Sequence, residues 1–111
     1  MTYRVELAFK AERDLDCILN WIQKRSKQGA ATWFRRWRKL LVKLSKRPNS
    51  FHFAPENEDH DEEIRQAVFK TRRGLPYRAL FIIRGDVVYI TNLRGPGQDL
   101  VDPADIQGPN G

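Results

Sequence analysis

The 111-residue sequence has one cysteine and one methionine, and no acidic residue at all between Cys17 and Pro55. Each shortage excludes something. Cys17 alone cannot form an intramolecular disulfide and fits a reducing compartment; without CxxC spacing or a His/Cys cluster, no metal ion is expected. No apolar run approaches the roughly 18 residues that a membrane span needs, and no signal peptide precedes the first strand, so a cytoplasmic chain without membrane contact is expected. A Walker loop, a paired-carboxylate hydrolase pattern and a nucleophile triad are all missing, and no cofactor is expected. The length suits one domain, residues 1–111.

What the chain does have is charge sorted into blocks. Its net charge is +6, and ten Lys or Arg fall between Lys24 and Arg47. Six acids then crowd the eight residues from Glu56 to Glu63. A second acid-free stretch, Ile64 to Gly85, carries Arg65, Lys70, Arg72, Arg73, Arg78 and Arg84. Such segregation builds local fields of one sign that favour a polyanion or an acidic protein segment. The competing reading, that these cations only solvate exposed faces, has about equal weight on charge alone. Three Trp, six Phe and three Tyr supply bulky material for a core.

Hydrophobic period divides the chain into elements. Tyr3, Val5 and Leu7 alternate with Arg4 and Glu6, as in a half-buried strand over residues 2–8. From Phe9 to about Gln28, Ala11, Leu15, Ile18 and Ile22 form one helical stripe, with acids early, cations late and Gly29 as the expected stop. Ala30, Trp33, Phe34, Trp37, Leu40, Leu41 and Leu44 form the stripe of a second helix, which ends before Pro48. The short connection implies an antiparallel helical hairpin. Residues 48–62 have no period and read as a long loop. Ile64–Thr71, Pro76–Arg84 and Val87–Leu93 read as strands of an antiparallel meander, the last two joined at Gly85 and Asp86. The segment 95–111 reads as an irregular tail, with a short helical turn capped by Asp102 ahead of Pro103 and a frayed end. The expected fold is α+β, in the order β-α-α-β-β-β, with both helices on one face of the sheet and the other face available.

Arg78 is the anomaly in this pattern, a permanent charge one step inside an apolar strand. Counting back from the Gly85–Asp86 turn sets it opposite Leu93, beside Arg94, with Phe69 on its other side. Lys70, Arg72, Arg73, Arg78 and Arg94 then gather at one end of the meander, and no acid between Ile64 and Gly85 neutralises them locally. A guanidinium fork there suits phosphate or carboxylate. Against this stands the more common behaviour of a single strand arginine, which snorkels to water or pairs with a carboxylate from elsewhere, such as one of Glu56 to Glu63.

The remaining candidates read more plainly. Trp33, Phe34 and Trp37 at helical spacing point to a core or a partner groove rather than a base-stacking platform. His52 and His60 read as solvated loop histidines, and Cys17 as a plain thiol off the apolar stripe. The cationic face of the second helix reads as solvated surface that an acidic partner could use.

The strings "AERDLDCILNWI", "AATWFRRWRKLLVKL" ending at Pro48, "EIRQAVF", "YRALFIIRGDVVYI" and "NLRGPGQDL" together resemble the RelE/ParE toxins of bacterial type II toxin–antitoxin modules, a plasmid stabilisation family. The resemblance runs from Tyr3 to about Asp99. It implies a toxin, neutralised by an antitoxin encoded beside it whose tail wraps the toxin. That antitoxin is expected to be acidic, with a tail packing on the apolar rim of the helices around Trp33, Trp37 and Leu41 and screening the Arg78 cluster. ParE-like members poison DNA gyrase; RelE-like members cut mRNA on the ribosome. In the RelE-like case Arg78 is similar to the arginine that contacts the scissile phosphate, with Arg94 as a second phosphate ligand, Lys70 or Tyr77 assisting proton transfer, and Arg65, Arg72 and Arg73 holding the nucleic acid or other target. RelE-like nucleases carry a further Arg, His or Tyr after the last strand, where this chain has Gly95, Pro96, Gly97 and Gln98. An arginine that is always charged is a poor sole proton shuttle, so the ParE-like action is the leading expectation, the nuclease its alternative, and a binding module without toxicity a third.

Overall fold

The structure is a computed structural model that describes residues 2–98 and 100–107. Strand β1 (Arg4–Leu7) leads into helix α1 (Phe9–Arg25), helix α2 (Lys27–Lys46), and strands β2 (Arg65–Phe69), β3 (Tyr77–Arg84) and β4 (Val87–Arg94). The sheet order is β1-β4-β3-β2. The expected β-α-α-β-β-β, α+β architecture is therefore the observed one. The meander is antiparallel, whereas β1 lies parallel to β4, with Arg4 beside Val87 and Leu7 beside Ile90. The frayed end expected of the tail, 108–111, lies outside the described residues.

The break between the helices falls at Ser26, not Gly29. Ser26 adopts an extended backbone and its hydroxyl accepts the Gly29 N–H at 2.9 Å, so one serine ends α1 and caps α2. Gly29 thus sits in the first turn of α2. The apolar stripe of α2 delivers Trp33, Trp37, Leu40 and Leu44 to the core, and α1 adds Ala11, with Leu15, Ile18 and Ile22 half-buried beside it. Both stripes meet Ala67, Phe69, Ala79, Phe81, Val88, Ile90 and Leu93 on one sheet face. Asp14 on α1 accepts the Leu93 N–H at 3.0 Å, satisfying a donor of β4 beyond the end of its pairing with β1.

The opposite sheet face is not available, which corrects the expectation from sequence. The long loop and the tail fold over it, and Ala54, Ile64, Val101 and Ile106 bury Leu80 and Ile82 there, with Tyr89 packed alongside. The loop has structure of its own, with 3-10 turns at Pro48–Ser50 and Pro55–Asp59 and a bridge from Phe53 to Arg65. The tail contributes the Pro103–Asp105 turn, capped as expected by Asp102, whose side chain accepts the Ala104 N–H. His60 fastens the two, so it is not the solvated loop residue that the sequence suggests. Its Nε2–H donates to the Ile106 carbonyl at 2.9 Å, and Nδ1 accepts the Glu62 N–H at 3.0 Å.

The strand register is also corrected by one residue. Arg84 pairs with Val87 across a two-residue turn in which Gly85 takes φ 60, as anticipated. A bulge follows at Leu80/Phe81, where β3 passes from Ile90 to Asn92 and Thr91 is the extra residue. Arg78 consequently stands opposite Arg94 rather than Leu93; on its other side the β2–β3 pairing, which has no bulge, places Val68 rather than Phe69 opposite it.

Candidate functional site

Alternation along β3 decides what Arg78 can reach. Its neighbours Tyr77 and Ala79 face the helices, so Arg78 projects to the other face, together with Leu80 and Ile82, beneath the loop and tail. Glu56, in the Pro55–Asp59 turn, meets it there: Arg78 Nη1 and Nη2 donate to Oε1 and Oε2 at 3.0 and 2.9 Å. Nη1 also donates to Gln66 Oε1 at 2.9 Å, and Glu56 Oε2 accepts the Val101 N–H at 2.9 Å. One carboxylate thus ties the loop to the sheet and to the tail. The Glu56 side chain is 1% exposed and that of Arg78 19%. Burial acts against the charged form of Glu56, but its hydrogen bonds from Arg78 and from the Val101 N–H prevail and hold the carboxyl below its ordinary value.

The same loop neutralises two more of the strand cations. Arg84 donates to both oxygens of Glu62 at 2.9 Å in a half-exposed pair, and these bonds lower the Glu62 pKa and raise that of Arg84. Arg65 donates to the Phe51 carbonyl at 2.6 Å, lies over the Phe53 ring at 4.4 Å and approaches Glu63 at 3.9 Å. Its guanidinium is a clamp on the start of the loop.

The five residues expected to converge therefore share a sheet end without forming one cluster. Arg78 and Arg94 are cross-strand partners. Arg72 and Arg73 are exposed in the turn between β2 and β3. Lys70 instead lines a cleft of about 230 Å³ with Arg36, Lys39, Leu40, Lys43, Phe51, Val68 and Phe69, on the helix side of the β2 edge. Tyr77 is turned to the face opposite Arg78, where its ring contacts Trp33 edge-on at 5.3 Å, and burial raises its pKa. Tyr77 thus lies on the other side of the sheet from Arg78. After β4, Gly95 donates to the Gln98 side chain in a tight turn that supplies no titratable group. The missing side chain of Gly95 leaves room for the Tyr77 ring, since a Cβ there would come within 3.2 Å of it.

The partner surface expected around Trp33, Trp37 and Leu41 also needs correction. Trp37 is 2% exposed, stacks with Trp33 at 6.3 Å and offers no surface to a partner; Leu41 is half-buried against the core. Trp33, although 3% exposed, forms one wall of a cleft of about 380 Å³ shared with Trp21, Ile22, Leu75, Tyr77 and Pro96. Its indole N–H has no acceptor among the described residues. Trp21, Tyr77 and Pro96 also line a second cleft of about 340 Å³ that reaches Cys17, Ile18 and Gln98, so the two read as one apolar groove. Trp21 and Leu75 are 55% and 67% exposed, and Arg25 lies over the Trp21 ring at 3.8 Å. A cleft of about 610 Å³ between loop and tail is lined by His60, Asp61, Asp102, Pro103, Ala104 and Ile106, without a Lys or Arg. Among the described residues, no helix is long and apolar enough to cross a membrane.

No family model matches the chain, and no curated protein matches it significantly. Among solved structures, a chain from the chromosomal ParDE TA system from P. aeruginosa superposes with a TM-score of 0.64 at 18% identity, covering 84% of this chain and 95% of that one. The two chains share a fold. At this identity the likeness carries the architecture and not the chemistry, so what that system does is not transferred with it.

Proposed function

We propose that this chain is the toxin of a type II toxin–antitoxin module, and that it acts as ParE-like toxins do, by engaging DNA gyrase rather than by cutting RNA. The shared fold with a ParDE system supports the first part. The second rests on one observation: the guanidinium best placed to hold a scissile phosphate is held by Glu56 through two hydrogen bonds, under a covered sheet face. The orientation of Tyr77 and the empty chemistry of the Gly95–Gln98 turn support it further. The juxtaposition of Arg78 and Arg94 favours a second reading, a ribosome-dependent mRNA endoribonuclease, which would require Glu56 to withdraw. In the leading reading the antitoxin is an acidic protein whose tail enters the groove of Trp21, Leu75, Tyr77 and Pro96, close to Arg25 and the Arg72–Arg73 turn.

Induction in a bacterium, alone and together with the small acidic protein expected from the adjacent reading frame, tests the reading. Growth arrest that the second protein relieves is the expected result. Unimpaired growth leaves a binding module of this fold and overturns it.

A further inference from the structure

Strand β2 is the outer strand of the meander, and its free side is only half covered. Gln66 points its N–H outward, donating to the His52 carbonyl at 2.9 Å, while Ile64 accepts the Ala54 N–H at 2.8 Å. Alternation then sends the N–H and C=O of Val68 outward as well, beyond the bridge between Phe53 and Arg65, to a place where no described backbone group meets them. The side chain of Val68 is 54% exposed. This is an unblunted strand edge of the kind that pairs with another chain.

Beside this edge runs the cleft of Arg36, Lys39, Lys43 and Lys70, floored by Leu40, Phe51 and Phe69. None of its four cations makes a salt bridge among the described residues. The edge offers one donor and one acceptor in strand geometry; the cleft's cations lie on the helix side, whereas Arg78 on the other face is paired with Glu56. A peptide backbone matches both groups, whereas a phosphate backbone brings acceptors alone and leaves the Val68 carbonyl unanswered.

We infer that an acidic, extended peptide segment of a partner protein adds to β2 as a fifth strand at Val68, with alternate carboxylates over Arg36, Lys39, Lys43 and Lys70. The inference goes beyond the proposed toxin action and does not depend on it, because the β2 edge is distinct from the Trp21 groove. The strand pairs through its backbone while its outward-alternating side chains meet the cations, so apolar residues at the other positions cover Val68.

The test uses the full chain and a short end-blocked peptide of alternating Glu and Val, followed by amide NMR. Saturable shifts centred on Val68 and Lys70 are expected at peptide concentrations up to about 1 mM, with no response to the matching Lys/Val peptide. Val68→Pro deletes the outward donor while sparing the bonds to β3 made by Ala67 and Phe69, and should weaken binding about fivefold, the worth of one net hydrogen bond. Val68→Thr should bind as the parent does. Should Val68→Pro disturb the fold, the pair Lys39→Glu and Lys43→Glu, on the exposed face of α2, should still weaken binding about tenfold or more. The absence of saturable shifts at Val68, unchanged affinity in the folded Val68→Pro variant, or preferential occupation of this cleft by a single-stranded oligonucleotide would each overturn the inference.

Discussion

Removing either partner of the Glu56–Arg78 pair should destabilise the protein, and unequally. Breaking a buried ion pair costs about 3–5 kcal/mol, because the survivor keeps its charge without compensation. Arg78→Ala strands Glu56, whose side chain is 1% exposed and retains only backbone donors, the Val101 N–H and its own, so the full range applies. Glu56→Ala strands Arg78, which is 19% exposed, keeps Gln66 and can turn toward water, so a smaller loss of about 2–3 kcal/mol is expected. At about 4 °C per kcal/mol for a domain of this size, the melting temperature should fall by about 10 °C for Glu56→Ala and further for Arg78→Ala. The same Glu56 variant frees the Val101 amide, so thermal unfolding by circular dichroism should be paired with hydrogen exchange at Val101. Melting within about 0.5 kcal/mol of the parent for both variants, a larger loss for Glu56→Ala than for Arg78→Ala, or unchanged exchange at Val101 would refute the clasp.

Other outcomes follow from the same geometry. Glu56 and Glu62 have depressed carboxyl pKa values, so their ion pairs contribute stability above the ordinary carboxylate range and lose it as the pH falls through the depressed values; denaturant midpoints should drop on acidification more steeply for the parent than for Glu56→Gln. Leu75→Glu, at a side chain 67% exposed, should change stability by less than about 0.5 kcal/mol yet abolish neutralisation by an acidic antitoxin, which a growth-rescue assay would read. Gly85→Ala forces a Cβ onto a residue at φ 60 and should cost about 1–2 kcal/mol by denaturant unfolding, with the surrounding space open and no clash to add.

The helices and the Gly85–Asp86 hairpin were legible because each states its period or its turn locally. The bulge at Thr91 was not, since "YITNL" carries no glycine or proline to mark an extra residue, and its one-step shift moved Arg78 from Leu93 to Arg94. The cover over the second sheet face was hidden because its apolar contacts, Ala54, Ile64, Val101 and Ile106, lie far apart in sequence and show no common period. A signal for it nevertheless existed. "YRALFIIR" is apolar at both alternations, Ala79 and Phe81 on one face and Leu80 and Ile82 on the other, which is the pattern of a strand buried on both sides. A charge inside such a strand needs a carboxylate brought to it, and the acidic loop supplies one. The parallel pairing of β1 with β4 had no local signal, being fixed only when the helical hairpin packs on the sheet.

The most direct test of the account is to induce the chain in a growing bacterium and map broken nucleic acid. Gyrase-linked breaks in DNA with intact messengers are the predicted result, because Arg78 is engaged by Glu56 and Tyr77 is turned to the other sheet face. Messengers cut at ribosome-bound codons, with the cutting lost in Arg78→Ala at a temperature where that variant is still folded, would contradict it.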